Sequence, residues 1–286
     1  MTTEVIITGT GTPIPSQHRA GPGLAIRYGD TVMQFDAGRG TVQRLTAAGI
    51  ALSDLSAVFA THHHSDHLIG MQDLVLSRWV MERQMDLPPL PVVVPDGPAA
   101  SFARRMLDAW DEDIAVRMEH AGRTQPPEYE VIAFPTAEEP AEVWASDEVR
   151  VLAGRVRHEP VRPAVGFRVE TPDGVIAISG DTIVCDEVAA LAEGADVLVY
   201  EAMRFELIER LPQPRHFILD YHADTRLIGR QAQELGIETL VLTHLIPEPT
   251  TDEERQGFFD DIRNSGFEGT VVVADDLDVV TLGGRG

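Results

Sequence analysis

Cysteine is almost missing from these 286 residues, with Cys185 the only one. No disulfide can close within the chain and no thiolate zinc cluster is available, so any metal must be held by His, Asp or Glu. Long hydrophobic runs are also missing. The opening Met1-Thr-Thr-Glu-Val-Ile-Ile-Thr-Gly has neither a basic start nor an extended apolar stretch, and no later segment approaches a membrane span. A soluble, cytoplasmic protein is the expectation. Basic charge is scarce, with 23 Lys and Arg against 46 Asp and Glu, a net of −23. That balance disfavours a polyanionic partner, so nucleic acid is not an expected ligand. Gly/Ser linkers, low-complexity tracts and short-period repeats are lacking as well, which leaves 1–286 as a single domain.

What the chain does contain is strand, turn and helix in alternation. Apolar, β-branched runs at Val5–Thr8, Leu24–Arg27, Val32–Phe35 and Ala57–Ala60 predict strands, punctuated by Gly9, Gly11, Pro13, Gly29-Asp30 and Gly38. Helical spacing follows over Gly40–Ala48, Leu68–Met85 and Ala99–Trp110, with a strand at Pro91–Pro95. Asp111–Asp147 is acidic and weakly periodic, and predicts a strand or two among irregular loops. Strands then recur at 149–152, 164–169, 175–178, 197–200, 239–243 and 270–274, with a helix near Thr225–Leu235 capped by Asp224 or Thr225 and closed by Gly236. Two similar halves packed as a β-sandwich with outer helices fit this order.

The chemistry concentrates in Thr61-His-His-His-Ser-Asp-His67, on a strand-to-helix turn. His62 and His64, two apart on extended backbone, point to one side, and the turn after Ser65 lets Asp66 and His67 reach a second position nearby. Imidazole and carboxylate together suit zinc, manganese or iron. A surface His run is the bland alternative, disfavoured by the flanking strand and the adjacent acid. Gly9-Thr-Gly11 has neither a following Lys-Ser/Thr pair nor a complete GxGxxG, so it is a weak nucleotide signal. Trp79, Met81 and Met85 are either core or the lining of a pocket beside the metals.

The motif His62-x-His64-x-Asp66-His67 resembles the signature of the metallo-β-lactamase superfamily, a four-layered αββα sandwich with metals at its strand ends. Thr8–Pro13, Phe35–Gly40, Val156-Arg-His158, Gly166–Val169, Ser179–Thr182, Tyr200-Glu-Ala202, Tyr221-His222 and Leu242-Thr-His244 resemble, in order and spacing, the branch of ribonuclease Z and related arylsulfatases and phosphodiesterases. The resemblance implies two divalent ions, zinc expected and manganese or iron admissible. One would be held by His62, His64 and His158 and the other by Asp66, His67 and His244, with Asp181 bridging. It implies hydrolysis through a bridging hydroxide, with Asp66, His222 and Glu201 as catalytic residues and Glu201 orienting His222 toward the leaving group. Asp36 would shape a turn beside the ligand loops.

Bacterial ribonuclease Z commonly carries a long tRNA-gripping arm between the segments matching Gly166–Val169 and Ser179–Thr182. Here only Glu170–Ile178 intervenes, enough for a hairpin. With the acidic charge, this favours a small phosphodiester, sulfate ester or related ester as substrate. A tRNA 3′-end endonuclease is the alternative, and a non-catalytic metal-binding or signalling protein the third reading. Phe205–Asp220 suits either a lid over the site, with His216 facing it, or a homodimer contact.

Overall fold

The computed structural model describes residues 1–81 and 87–283. Among them the N-terminal half supplies strands β1 (Thr3–Gly9), β2 (Gly23–Tyr28), β3 (Thr31–Phe35), β4 (Leu55–Phe59), β5 (Leu90–Pro95) and β6 (Tyr129–Phe134). Its helices are α1 (Thr41–Ala47), α2 (Ser65–Leu68), α3 (Met71–Met81), α4 (Pro98–Arg105) and α5 (Asp111–Ala121). The second half supplies β7 (Ala141–Ala145), β8 (Arg150–Arg155), β9 (Val165–Thr171), β10 (Gly174–Ile178), β11 (Val197–Met203), β12 (Thr239–Ile246), β13 (Thr270–Val273) and β14 (Val279–Leu282). Between these strands lie α6 (Asp186–Ala192), α7 (Phe205–Glu209), α8 (Thr225–Glu234) and α9 (Asp252–Asn264).

The strands form two seven-stranded mixed sheets, ordered β14-β1-β2-β3-β4-β5-β6 and β13-β12-β11-β10-β9-β8-β7. Each begins as an antiparallel meander and continues in parallel, β3 to β6 in one sheet and β10 to β13 in the other. Period-two alternation sorts the side chains. Val5, Ile7, Phe35, Phe59, Phe167, Val169, Ile176 and Val199 fill the space between the sheets. Ile6, Ala25, Val58 and Val92 face outward under α1, α3 and α4, while Leu198, Tyr200, Leu240 and Leu242 lie under α6, α8 and α9. Helices, sheet, sheet and helices make four layers, the αββα order expected. An aromatic trio closes the middle: Phe35 stacks on Phe59 at 4.6 Å, and Phe167 from the opposite sheet meets them at 5.3 and 5.6 Å.

Several expectations need correction. The 111–147 stretch contains α5 as well as two strands, because three acids, Asp111, Glu112 and Asp113, load the helix's first turn and offset its weak apolar spacing. The long helix expected from Leu68 is two helices with a break at Ile69-Gly70, and Met85 lies outside the described residues. Trp79 and Met81 do not line the metal cluster. Trp79 is core, its indole donating to the Gln125 carbonyl at 3.1 Å, and Met81 is 59% exposed on an outer groove shared with Ile69 and Trp110. The Gly9–Gly11 turn packs on Ala20 and Gly21 so closely that it offers no cradle for a phosphate.

No helix among the described residues is long and apolar enough to cross a membrane.

Candidate metal centre and its supporting residues

The C-terminal ends of six strands meet at one edge of the sandwich. β3 leads to Asp36, β4 to the His62–His67 loop, β8 to His158 and β10 to Asp181, while Glu201 and His244 sit near the ends of β11 and β12. Local backbone aims several of these side chains. Between β11 and β12 the register shifts, so that Thr243 faces Glu201 and Leu245 faces Ala202. His244 is the extra residue, at φ 46, and the bulge turns its imidazole out of the ladder. His64 caps the single turn of α2, which carries Asp66 and His67 inward.

That loop lies hard against the β3–α1 turn. Ala37 donates its N–H to the His67 carbonyl at 2.8 Å and accepts from the Gly70 N–H at 2.8 Å. A side chain at Gly38 would stand 2.6 Å from the Asp66 carbonyl, and one at Gly70 would overlap the Gly38 carbonyl. Only hydrogen at these two Cα atoms lets the segments close.

All seven residues proposed as ligands converge. Ligand atoms of His62, His64, His158 and Asp181 lie within 4.8 Å of one another, as do those of Asp66, His67 and His244. Asp181 Oδ2 is 3.3 Å from His67 Nε2, 3.5 Å from His244 Nε2, and 3.9 Å from both His62 and His158 Nε2. Donors about 2.1 Å from one tetrahedral ion would stand about 3.4 Å apart, so these spacings are those of a ligand shell. His63, the middle residue of the run, joins neither group.

Hydrogen bonds fix which nitrogen three of the imidazoles present. Asp36 accepts from the Thr61 N–H and hydroxyl, both at 2.8 Å, and from His67 Nδ1 at 2.7 Å. With its proton on Asp36, the Thr61 hydroxyl accepts from His62 Nδ1 at 2.9 Å. His158 Nδ1 donates to the Tyr221 carbonyl at 2.9 Å. The Nε2 lone pairs of His62, His67 and His158 are thereby directed into the cluster. His158 Nε2 and His64 Nδ1 are 3.3 Å apart. The buried Nε2 atoms of His62, His67 and His244 and Oδ2 of Asp66 have no hydrogen-bond partner. Such orphaned, converging lone pairs are costly unless a cation stands among them, and the donor set fits a divalent metal.

Electrostatics within the cluster run both ways. Burial, with His67 adding to it, holds His62 well below the usual imidazole range, and burial followed by His158 lowers His64 to about 4. Burial opposes ionisation of Asp181, yet His244 and His67 outweigh it and hold the carboxyl well below its ordinary value. Asp66 is lowered too, burial being overcome by the His244 imidazole, 3.6 Å away, and by His67. His67 and His244 go the other way: burial draws them down, but Asp181, with Asp36 beside His67 and Asp66 beside His244, raises them.

Glu201 and His222 stand next to this cluster. His222 Nδ1 donates to Glu201 Oε1 at 2.9 Å, which also accepts from the Thr182 N–H at 3.1 Å and the Ala223 N–H at 3.3 Å. A ring nitrogen of His222 lies within 4.8 Å of ligand atoms of Asp181 and His244. His216, by contrast, is spent within its own segment, Nε2 bonding the Leu211 carbonyl at 2.8 Å. Sequence reading missed the Thr61 hydroxyl as the link between Asp36 and His62, although a hydroxyl residue heading the His run was the visible signal.

An αββα sandwich with this His/Asp cluster at its strand ends defines a metal-dependent hydrolase of the metallo-β-lactamase class. The family model described as a Beta-lactamase superfamily domain matches residues 30–245. A protein named Ribonuclease Z from Mycolicibacterium gilvum is 37% identical over 278 residues, covering 96% of this chain and 94% of its own. Among solved structures, the metallo-β-lactamase fold protein YhfI from Bacillus subtilis superposes with a TM-score of 0.73 at 20% identity, covering 98% of this chain and 100% of that one. The short form of human tRNase Z gives 0.72 at 21% identity, covering 98% and 99%. The chain belongs to the metallo-β-lactamase superfamily, in its ribonuclease Z branch.

Proposed function

We propose that this protein is an endoribonuclease that trims the 3′ ends of tRNA precursors. The observation that carries the reading is the end-to-end similarity to the Mycolicibacterium gilvum ribonuclease Z. It reverses the preference for a small ester, which rested on a missing arm and on acidic charge. The β9–β10 hairpin is indeed short, Thr171 pairing with Gly174. But an alignment of 278 residues that covers 96% of this chain and 94% of the relative leaves little room for a long arm in the relative that this chain lacks. Its absence does not separate the two. Net charge is a sum over the whole surface, whereas RNA binding depends on one face of it.

In this reading His62, His64, His158, Asp66, His67, His244 and Asp181 would together hold two divalent ions, with zinc the expected metal. Bound there, divalent ions lower the pKa of water and neutralise charge growing on the attacked phosphorus. Asp181 and Asp66 stay ionised, and Asp36 and Thr61 hold the imidazoles in their ligating tautomers. His222, oriented by Glu201, carries a proton to the departing oxygen. Residues 1–286 act as one domain, in the cytoplasm, with 205–220 covering the site.

The test compares kcat/KM of the zinc-loaded protein on a 3′-extended tRNA with that on nitrophenyl phosphodiester, phosphomonoester, sulfate and carboxylic esters. A preference for the tRNA of at least about a hundredfold over every ester, near 3 kcal/mol, is expected. A small ester turned over faster than the tRNA would return the earlier reading.

A further inference from the structure

One part of the site's rim is unused by the chemistry above. The 3₁₀ segment Gln213–Asp220, which leads into Tyr221, carries Phe217 with its ring 60% exposed. The ring is not isolated. Phe217 lies 6.1 Å from Tyr221, centroid to centroid, and Tyr221 in turn lies 4.8 Å from His222 and 5.1 Å from His158. A run of tilted and edge-on ring contacts thus leads from the exposed Phe217 to the proposed metal ligands. Its inner end is fixed, since the Tyr221 carbonyl accepts from His158 Nδ1 at 2.9 Å. Its outer end is open.

We infer that Phe217 and Tyr221 form a stacking platform for an unpaired nucleobase next to the scissile phosphodiester, an inference that rests on the ribonuclease reading above. Stacking contributes affinity through the base and not the phosphate, so acidic charge nearby opposes it less than it opposes backbone contacts. The local charge is mixed: Arg215 is exposed and forms no ion pair among the described residues, but Asp220 lies beside Tyr221. The base is therefore held by its face and the grip tolerates different bases, every base having a π surface. The platform stands beside the ligands and not on them, so it acts on substrate position.

The experiment uses the zinc-loaded full-length protein, its Phe217→Ala variant and Phe217→Tyr as the conservative control. On a 3′-extended tRNA, Phe217→Ala is expected to raise KM by between about 5- and 150-fold with a smaller change in kcat, and Phe217→Tyr to restore most of it. On bis(4-nitrophenyl) phosphate the loss in kcat/KM is expected to be at least about fivefold smaller than on RNA. A precursor with 2-aminopurine as the nucleotide beyond a non-hydrolysable linkage reads stacking directly. Its fluorescence should be quenched on binding the wild type and Phe217→Tyr, and not Phe217→Ala. Equal quenching by all three, or equal losses on RNA and the small ester, overturns the platform while leaving the ribonuclease reading intact. A wild type that hydrolyses the ester but neither binds nor cuts RNA overturns both.

Discussion

At the scale of single residues, the account depends on side chains that never touch a substrate. Asp36 holds His67 and, through Thr61, His62, so Asp36→Asn removes the charge that aligns two imidazoles of the cluster. Zinc affinity and activity should both fall by about 10- to 100-fold, measured by competition with a chromogenic chelator and by turnover. Unchanged affinity would show that the imidazoles orient themselves. Cys185 offers an independent check. It is buried, and burial raises its thiol above the ordinary value of 9.0. The folded thiol thus keeps its proton at a pH where the unfolded one has lost it, so its contribution to stability falls as pH rises past about 9. Near neutrality a thiol reagent should label the native protein at least about a hundredfold more slowly than the protein in denaturant, followed by absorbance. The residues that cluster were legible in the sequence through the His62-x-His64-x-Asp66-His67 spacing and, for His158, Asp181 and His244, through the family resemblance. Asp36 was legible only as part of a turn, because its partners lie 25 and 31 residues away.

At the scale of elements, the strand-to-helix turn at His62–His67 and the β3–α1 turn work as one unit, closed by Gly38 and Gly70. Gly70→Ala places a methyl against the Gly38 carbonyl. The segments must part, and we expect a loss of about 1–3 kcal/mol in urea unfolding together with weaker metal retention, because His67 moves with its backbone. A stable, fully metallated Gly70→Ala protein would contradict this coupling. The strands were legible from β-branched runs and the α8 start from its cap, Asp224 accepting the Arg226 N–H at 3.0 Å. The helix α5 was not, because acids in its first turn support it where apolar periodicity is weak. Nor was the bulge at His244, since nothing in Leu242-Thr-His-Leu245 distinguishes an extra residue from a regular strand.

At the scale of the whole molecule, two sheets share one aromatic seam and present one edge of loops. Phe167, fully buried, joins the halves through Phe35 and Phe59. Phe167→Ala should cost about 3–5 kcal/mol in urea unfolding, and a cost below about 1 would mean the sheets do not depend on this contact. Four-layer architecture was legible in the sequence once the motif had been recognised, whereas net charge and a missing arm pointed to a small ester where the relatives support the ribonuclease reading better. Net charge is a property of the whole chain and does not describe the rim of the site. The most direct measurement of the central claim is cleavage of a 3′-extended tRNA by the zinc-loaded protein and by Asp181→Ala, with metal content determined on the same samples. The account predicts two metals per wild-type chain and a defined cut at the 3′ end. In Asp181→Ala it predicts loss of at least one metal and a fall in rate of about a thousandfold or more. An Asp181→Ala protein that keeps its full metal complement and cuts at the wild-type rate would contradict it.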